Sequence, residues 1–149
     1  MTTSTQCQYR TLKFIVPGEP VGKGRPRFTR TGHTYTPQKT IDYENQIKKA
    51  YRHNYTYCSK KALRIKIIAY SKIAKSTSKR RKELMLADVI KCTKKPDVDN
   101  IQKIVLDALN KVAYMDDTQI VQAGAIKKWA LEGKVKVTIE EIGERMQKD

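Results

Sequence analysis

The apolar positions change their period several times along the chain, and each change marks an element. Residues 11–16 (TLKFIV) alternate as a strand does, and Pro17-Gly18 ends the run. The following GEPVGKGRPRFTRTGHTYTP has no period and too much glycine and proline for a helix, so it reads as a long loop or an irregular hairpin. Thr36-Pro37 opens a helix, with Ile41, Ile47 and Tyr51 tracing a narrow apolar side to about residue 53. Residues 62–70 (ALRIKIIAY) set Leu63, Ile65 and Ile67 on one face and Arg64 and Lys66 on the other, which predicts a strand. SKRRKELMLADVI can form a helix. After it, Ile101, Ile104, Val105, Ala108, Leu109 and Val112 repeat at helical spacing and predict the clearest amphipathic helix of the chain. Residues 119–129 and 134–142 predict two strands, with Glu132-Gly133 as the turn between them. The order is β-α-β-(α)-α-β-β. It lacks regular βαβ alternation, so the expected class is α+β, with helices packed on a mixed sheet. A single domain over residues 1–149 is expected, with 1–10 polar and loose. No internal repeat or low-complexity segment is visible.

Composition changes this picture through charge. A chain of 149 residues suits one domain and, at 39% hydrophobic, excludes wholesale disorder. Lys and Arg number 31 against 15 Asp and Glu, a net charge of +16. Such self-repulsion is best tolerated beside a polyanion, the alternative being a merely solvated basic surface. Cys7, Cys58 and Cys92 form no CxxC pair, which argues against a zinc site and a disulfide framework and suits a reducing compartment. MTTSTQCQYR lacks the order of a signal peptide, and no apolar run approaches the ~20 residues of a membrane span. A soluble cytoplasmic protein is expected.

The long loop carries Lys23, Arg25, Arg27 and Arg30, and residues 71–95 form the most basic stretch, ending in Lys94 and Lys95. These are the candidate nucleic-acid contacts. Against that background the acids are conspicuous: Asp97 and Asp99 just before the strong helix, Asp116 and Asp117 just after it. Carboxylates repel phosphate unless a bound cation reverses the sign. Mg²⁺ takes oxygen ligands, and a phosphodiester needs its charge neutralised before hydroxide can approach. Lys103 lies four residues past Asp99, on the helix face opposite the apolar stripe, and would stabilise charge developing on phosphate oxygens. Asp107 continues that face. Spacing alone leaves another reading open: Asp99-Lys103-Asp107 is also an i,i+4 charge ladder, Asp99 a helix cap, and Asp116-Asp117 a polar turn. Gly22-Lys23-Gly24 lacks the spacing of a P-loop. His33 and His53 have no companion ligands, and Trp129 and the tyrosines read as core or dimer interface.

The block KKPDVDNIQKIVLDALNKVAYMDDTQIVQAGAIKKW resembles the signature of the RusA-type Holliday junction resolvases of bacteria and their phages. Its parts are Pro96-Asp97-Val98-Asp99-Asn100, then Lys103, then Leu106-Asp107-Ala108-Leu109-Asn110, then Asp116-Asp117-Thr118-Gln119. The upstream loop is similar too, so the resemblance runs from about Phe14 to Ile142. It implies a homodimer that binds four-way DNA junctions and makes paired nicks with Mg²⁺ or Mn²⁺. Carried over by position, Asp97, Asp99 and Asp117 would bind metal, Asp116 would assist, and Lys103 would be the essential lysine. The apolar and aromatic residues of the two C-terminal strands are one candidate dimer interface. Lys111 stands where many members carry glycine, which bears on the turn, and residues 71–95 look longer than in the smallest members. A non-catalytic branched-DNA-binding protein and a general metal-dependent nuclease remain the competing readings.

Overall fold

Alternation in ALRIKIIAYSK turns Leu63, Ile65, Ile67 and Ala69 to one side of β4 (Ala62–Lys72), and every one of them is buried. This strand is central to the sheet in a computed structural model that describes residues 8–145. β6 (Lys134–Gly143) pairs antiparallel along one edge of β4, and β5 (Ile120–Ala130) runs parallel along the other. β1 (Thr11–Pro17) closes the far side of β6, giving the order β1-β6-β4-β5. One face of this mixed sheet is covered by α1 (Gln38–Asn54) and α3 (Val98–Leu109). Between them lies the core: Phe14, Val16, Tyr51, Ile65 and Ile139 from strands and α1, and Ile101, Ile104 and Leu109 from α3. The class is α+β, with three α-helices among the described residues. The third, α2 (Lys79–Leu86), is short, and its one buried residue is Met85. Among the described residues no helix is long and apolar enough to cross a membrane.

The turn expected at Glu132-Gly133 does separate the last two strands, but the strands it joins are not neighbours. β4 lies between β5 and β6, so the bend at Glu132-Gly133 arches over the end of β4 instead of joining neighbours. A turn signal reports a reversal of the chain but not what sits between its arms. The glycine-rich loop contains a two-residue pairing of β2 (Arg27–Phe28) with β3 (Thr34–Tyr35), which adds two strands to the expected order. Residues 1–7 of the stretch expected to be loose lie outside the described residues. Arg10 is held: its amide donates to Glu141 Oε1 at 2.8 Å, and its guanidinium covers the Tyr57 ring at 4.1 Å.

Two helices end on left-handed residues that are not glycine, Asp88 after α2 (φ 61) and Lys111 after α3 (φ 66). An L side chain in that basin meets its own carbonyl. At Lys111 the conformation is required, because its amide turns back to donate to Tyr114 O at 2.7 Å. Lys111→Gly should therefore raise unfolding stability by about 1 kcal/mol. The check is a higher urea midpoint at an unchanged slope.

Candidate active site

The rotation of α3 decides the site. Ile101, Ile104, Val105, Ala108 and Leu109 face the sheet and α1 and are buried, so Asp99, Lys103 and Asp107 must face away from it. They line a cavity of about 490 Å³ whose other wall is Asp117 and the start of β5. There β5 carries a bulge: Leu63 pairs with Ile120 and Arg64 with Gln122, leaving Val121 as the extra residue. Bulges recur beside functional sites because they re-aim a strand.

Each end of this arrangement is pinned by a cap. Asp97 is the N-cap of α3, its Oδ1 accepting from Asn100 N at 2.9 Å, and Asp99 follows in the first turn, where the helix dipole favours negative charge. Asp116 caps the 3-10 turn Asp117–Gln119, accepting from the Thr118 amide and hydroxyl. Gln119 makes the stronger attachment. It is 2% exposed, and its Oε1 accepts from the amides of Met115 and Asp116 at 2.8 and 2.9 Å. Its Nε2 donates to the carbonyls of Ser59 and Lys61, both at 2.9 Å. Thus one buried amide fixes the acidic turn to the chain entering β4. Sequence reasoning assigned Gln119 no role. The signal available was the spacing of Asp116 and Gln119, which is that of a capping box.

The electrostatics follow from this crowding. Burial pushes the Asp117 carboxyl up, the negative charges of Asp107 and Asp116 add to it, and Lys111 only partly opposes them. Asp116 is pulled below the usual carboxylate range by its bonds to Thr118. Lys103 makes no ion pair among the described residues, so the i,i+4 ladder with Asp99 and Asp107 does not form. Asp107 instead stands 3.3 Å from Lys23 Nζ, which also donates to Glu44 Oε1 at 2.5 Å. Burial alone would lower the Lys23 pKa, but the bonds to Glu44 and Asp107 outweigh it and raise it.

The expected residues therefore fall into groups. Asp99, Lys103 and Asp117 share one cavity, and Asp107 joins them. Asp97 and Asp116 lie beside it, outside its lining, with their carboxylates on caps. Oxygen donors alone suit a hard divalent cation. The chemistry of the donor set fits, although among the described residues no three acidic, histidine or cysteine side chains are gathered as a ligand cluster. Of the basic candidates, Lys23 faces inward to acids, and Lys94 Nζ lies 3.7 Å from Glu19 Oε2. Arg25, Arg27 and Lys95 are exposed around a second cavity, and Arg30 is exposed in the bend between β2 and β3.

Residues 17–140 match the family model described as Endodeoxyribonuclease RusA. The chain is also 35% identical over 137 residues to uncharacterized protein YqaN of Bacillus subtilis (strain 168), covering 88% of this chain and 96% of that protein.

Two outcomes test the geometry. Because the folded-state pKa of Asp117 is raised, ionising it costs stability. That cost is absent below the ordinary carboxylate range and sets in as pH rises through the raised value. Asp117→Asn should then melt higher than the parent at about pH 7 and level with it at about pH 3. Gln119→Leu leaves four backbone groups unpaired and should cost roughly 3 kcal/mol in denaturant titrations.

Proposed function

Because the chain belongs to the RusA endodeoxyribonuclease family, we propose that it is a Mg²⁺-dependent, structure-selective endonuclease that resolves four-way DNA junctions by paired phosphodiester hydrolysis. The observation that carries the reading is the meeting of Asp99, Asp107, Asp117 and an unpaired Lys103 at one cavity, in a chain of net charge +16. Acids concentrated at one place on a basic protein have a purpose if a cation and a phosphate are to share it.

Asp99 and Asp117 would be the first residues to hold Mg²⁺ or Mn²⁺, with Asp97 and Asp116 contributing from the capped ends. When bound, such an ion would neutralise phosphate charge and ease the loss of a proton from water, supplying the hydroxide that attacks phosphorus. The chain's own side chains supply the rest. Lys103 holds a non-bridging oxygen and stabilises the charge that grows there. Lys23 keeps Asp107 to one side, so that its charge shapes the cavity without closing it. Asp117, with its raised pKa, is the carboxylate that gains most from a cation. Exposed Arg25, Arg27, Arg30 and Lys95 contact neighbouring phosphates, and Lys94 joins them by leaving Glu19.

Paired nicks require two sites related by a two-fold axis, which a homodimer provides. β6 is paired on both sides, so of the two C-terminal strands only β5 has a free edge to offer a second copy. Val121 (65% exposed) and Ile126 (44%) stand on it. The reading is of one domain working in the cytoplasm of a bacterium. A second reading, a branched-DNA-binding protein that does not cut, is favoured by the capping bond on Asp97, since that bond gives one oxygen of the carboxylate a structural task.

The test is cleavage of a labelled synthetic four-way junction beside a linear duplex, with Mg²⁺, Mn²⁺ or chelator. The junction should be nicked in pairs and only with metal. Asp99→Asn and Asp117→Asn should slow nicking by orders of magnitude and bind junctions as well or better, since a repulsive charge is gone. Lys103→Ala should lose both rate and affinity, and Asp107→Asn should lose less. Near-normal nicking by the Asp99→Asn and Asp117→Asn variants sinks the site assignment. Equal cutting of duplex and junction would point to a general nuclease, and tight junction binding without cutting to the second reading.

A further inference from the structure

The second cavity, also about 490 Å³, is lined by Arg25, Arg27, Lys39 and Lys95 and by no acidic side chain. None of these four cations has an ion-pair partner among the described residues. Like charges around one space repel, and an anion seated among them turns that repulsion into attraction. The backbone points the same way. α1 begins at this cavity with Pro37 as its N-cap, without a side-chain cap and without an acid in its first turn. The amides of Thr40 and Ile41 return to Pro37 O at 3.0 and 3.3 Å, whereas those of Gln38 and Lys39 have no partner among the described residues. A helix opening of this kind presents donors and positive potential to an anion.

The walls are fixed rather than loose. Gly24 N donates to Thr40 Oγ1 at 3.1 Å. A Cβ on Gly24 would lie 2.6 Å from that oxygen, and one on Gly22 would lie 2.8 Å from Pro96 Cβ. The same short stretch of loop forms the partition with the acidic cavity: Lys23 N donates to Asn100 O at 3.0 Å, and its ammonium reaches Asp107. Acids stand on one side of the partition and unneutralised cations on the other.

We infer that this cavity is a seat for one backbone phosphate of the bound nucleic acid, a phosphate other than the one cut. Arg25, Arg27, Lys39, Lys95 and the first amides of α1 hold it. The identity of the polyanion rests on the nuclease reading above. The binding of a phosphate group does not. Lys39 joins the DNA contacts on this argument, having no signal in the sequence beyond its charge.

Two arms keep the seat and the nuclease reading separable. In the first, inorganic phosphate is titrated into the full chain and backbone amide resonances are followed. Gly24, Gln38 and Lys39 should shift to saturation, and the shifts should vanish in both Arg25→Ala/Lys39→Ala and Arg27→Ala/Lys95→Ala. A flat titration overturns the seat, whatever the protein does to DNA. In the second, single phosphodiesters of a junction strand are replaced by neutral methylphosphonates, with Asp99→Asn as the non-cutting parent. One uncut position should weaken binding about tenfold in the parent and not at all once Arg25 and Lys39 are alanine. Undiminished sensitivity at every position in that variant, in spite of free phosphate binding, removes the nucleic-acid half of the proposal. A chain that neither binds nor cuts any DNA refutes the nuclease reading, while the phosphate titration still decides the seat.

Discussion

The burial of one side of α3 is the constraint on which the site depends. Five apolar side chains, from Ile101 to Leu109, enter the core, each stabilising the fold by about 1.5–3 kcal/mol except the smaller Ala108. Turning the helix by one residue, about 100°, would bring Lys103 and Asp107 into the core in one direction and Gln102 and Asn110 in the other, and lift apolar residues out. The phase is therefore not adjustable, and Asp99, Lys103 and Asp107 have their direction set by residues that take no part in chemistry. Placement of the chemical groups is a by-product of oil-like packing on the opposite side of the same helix.

Charge is segregated on this scaffold with some precision. Asp107 has an inward clip in Lys23, Asp116 has Thr118, and Asp97 has the amide of Asn100, so several acids near the cavity are already engaged. Asp99 and Asp117 are the exceptions: neither carboxylate has a hydrogen-bond or ion-pair partner among the described residues, and burial and the like charges of Asp107 and Asp116 raise the pKa of Asp117. Lys103 is the corresponding exception among the cations at the same place. A carboxylate short of counter-charge and an ammonium short of a partner, sharing one cavity, form a site prepared for an ionic guest rather than a surface settled within itself.

Much of this was legible in the sequence, for physical reasons. The period of 3.6 in residues 101–112 gave the rotation of α3, and with it the side on which Asp99 and Lys103 emerge. The alternation in residues 62–70 gave a strand with one buried face. What escaped were facts about neighbours. Nothing in Gln119 to Trp129 says that the strand pairs with β4 in parallel and not with β6 across the turn, because pairing partners are set by the whole sheet. Lys23 was grouped with the arginines of its loop, since a lysine among glycines looks solvent-bound until Glu44 and Asp107 arrive from two different helices. Asp97, and not Asp99, proved to be the helix cap, a difference of two residues that no periodicity could resolve.

The position of β6 also sets an order in time. β1 and β4 share no edge. Thr11 pairs with Glu140 and Pro17 with Lys134, so the first strand has no neighbour until residues 134–143 arrive. A nascent chain that has emerged only as far as α3 holds two unpaired strands and a helix whose apolar side has no closed sheet to meet. Contacts so distant in sequence form late and slowly. The walls of the acidic cavity, α3 and the start of β5, both precede β6 in the chain, but the sheet beneath them is whole only when β6 enters between β1 and β4. The strand that ties the two halves of the sheet together is thus made after both of them.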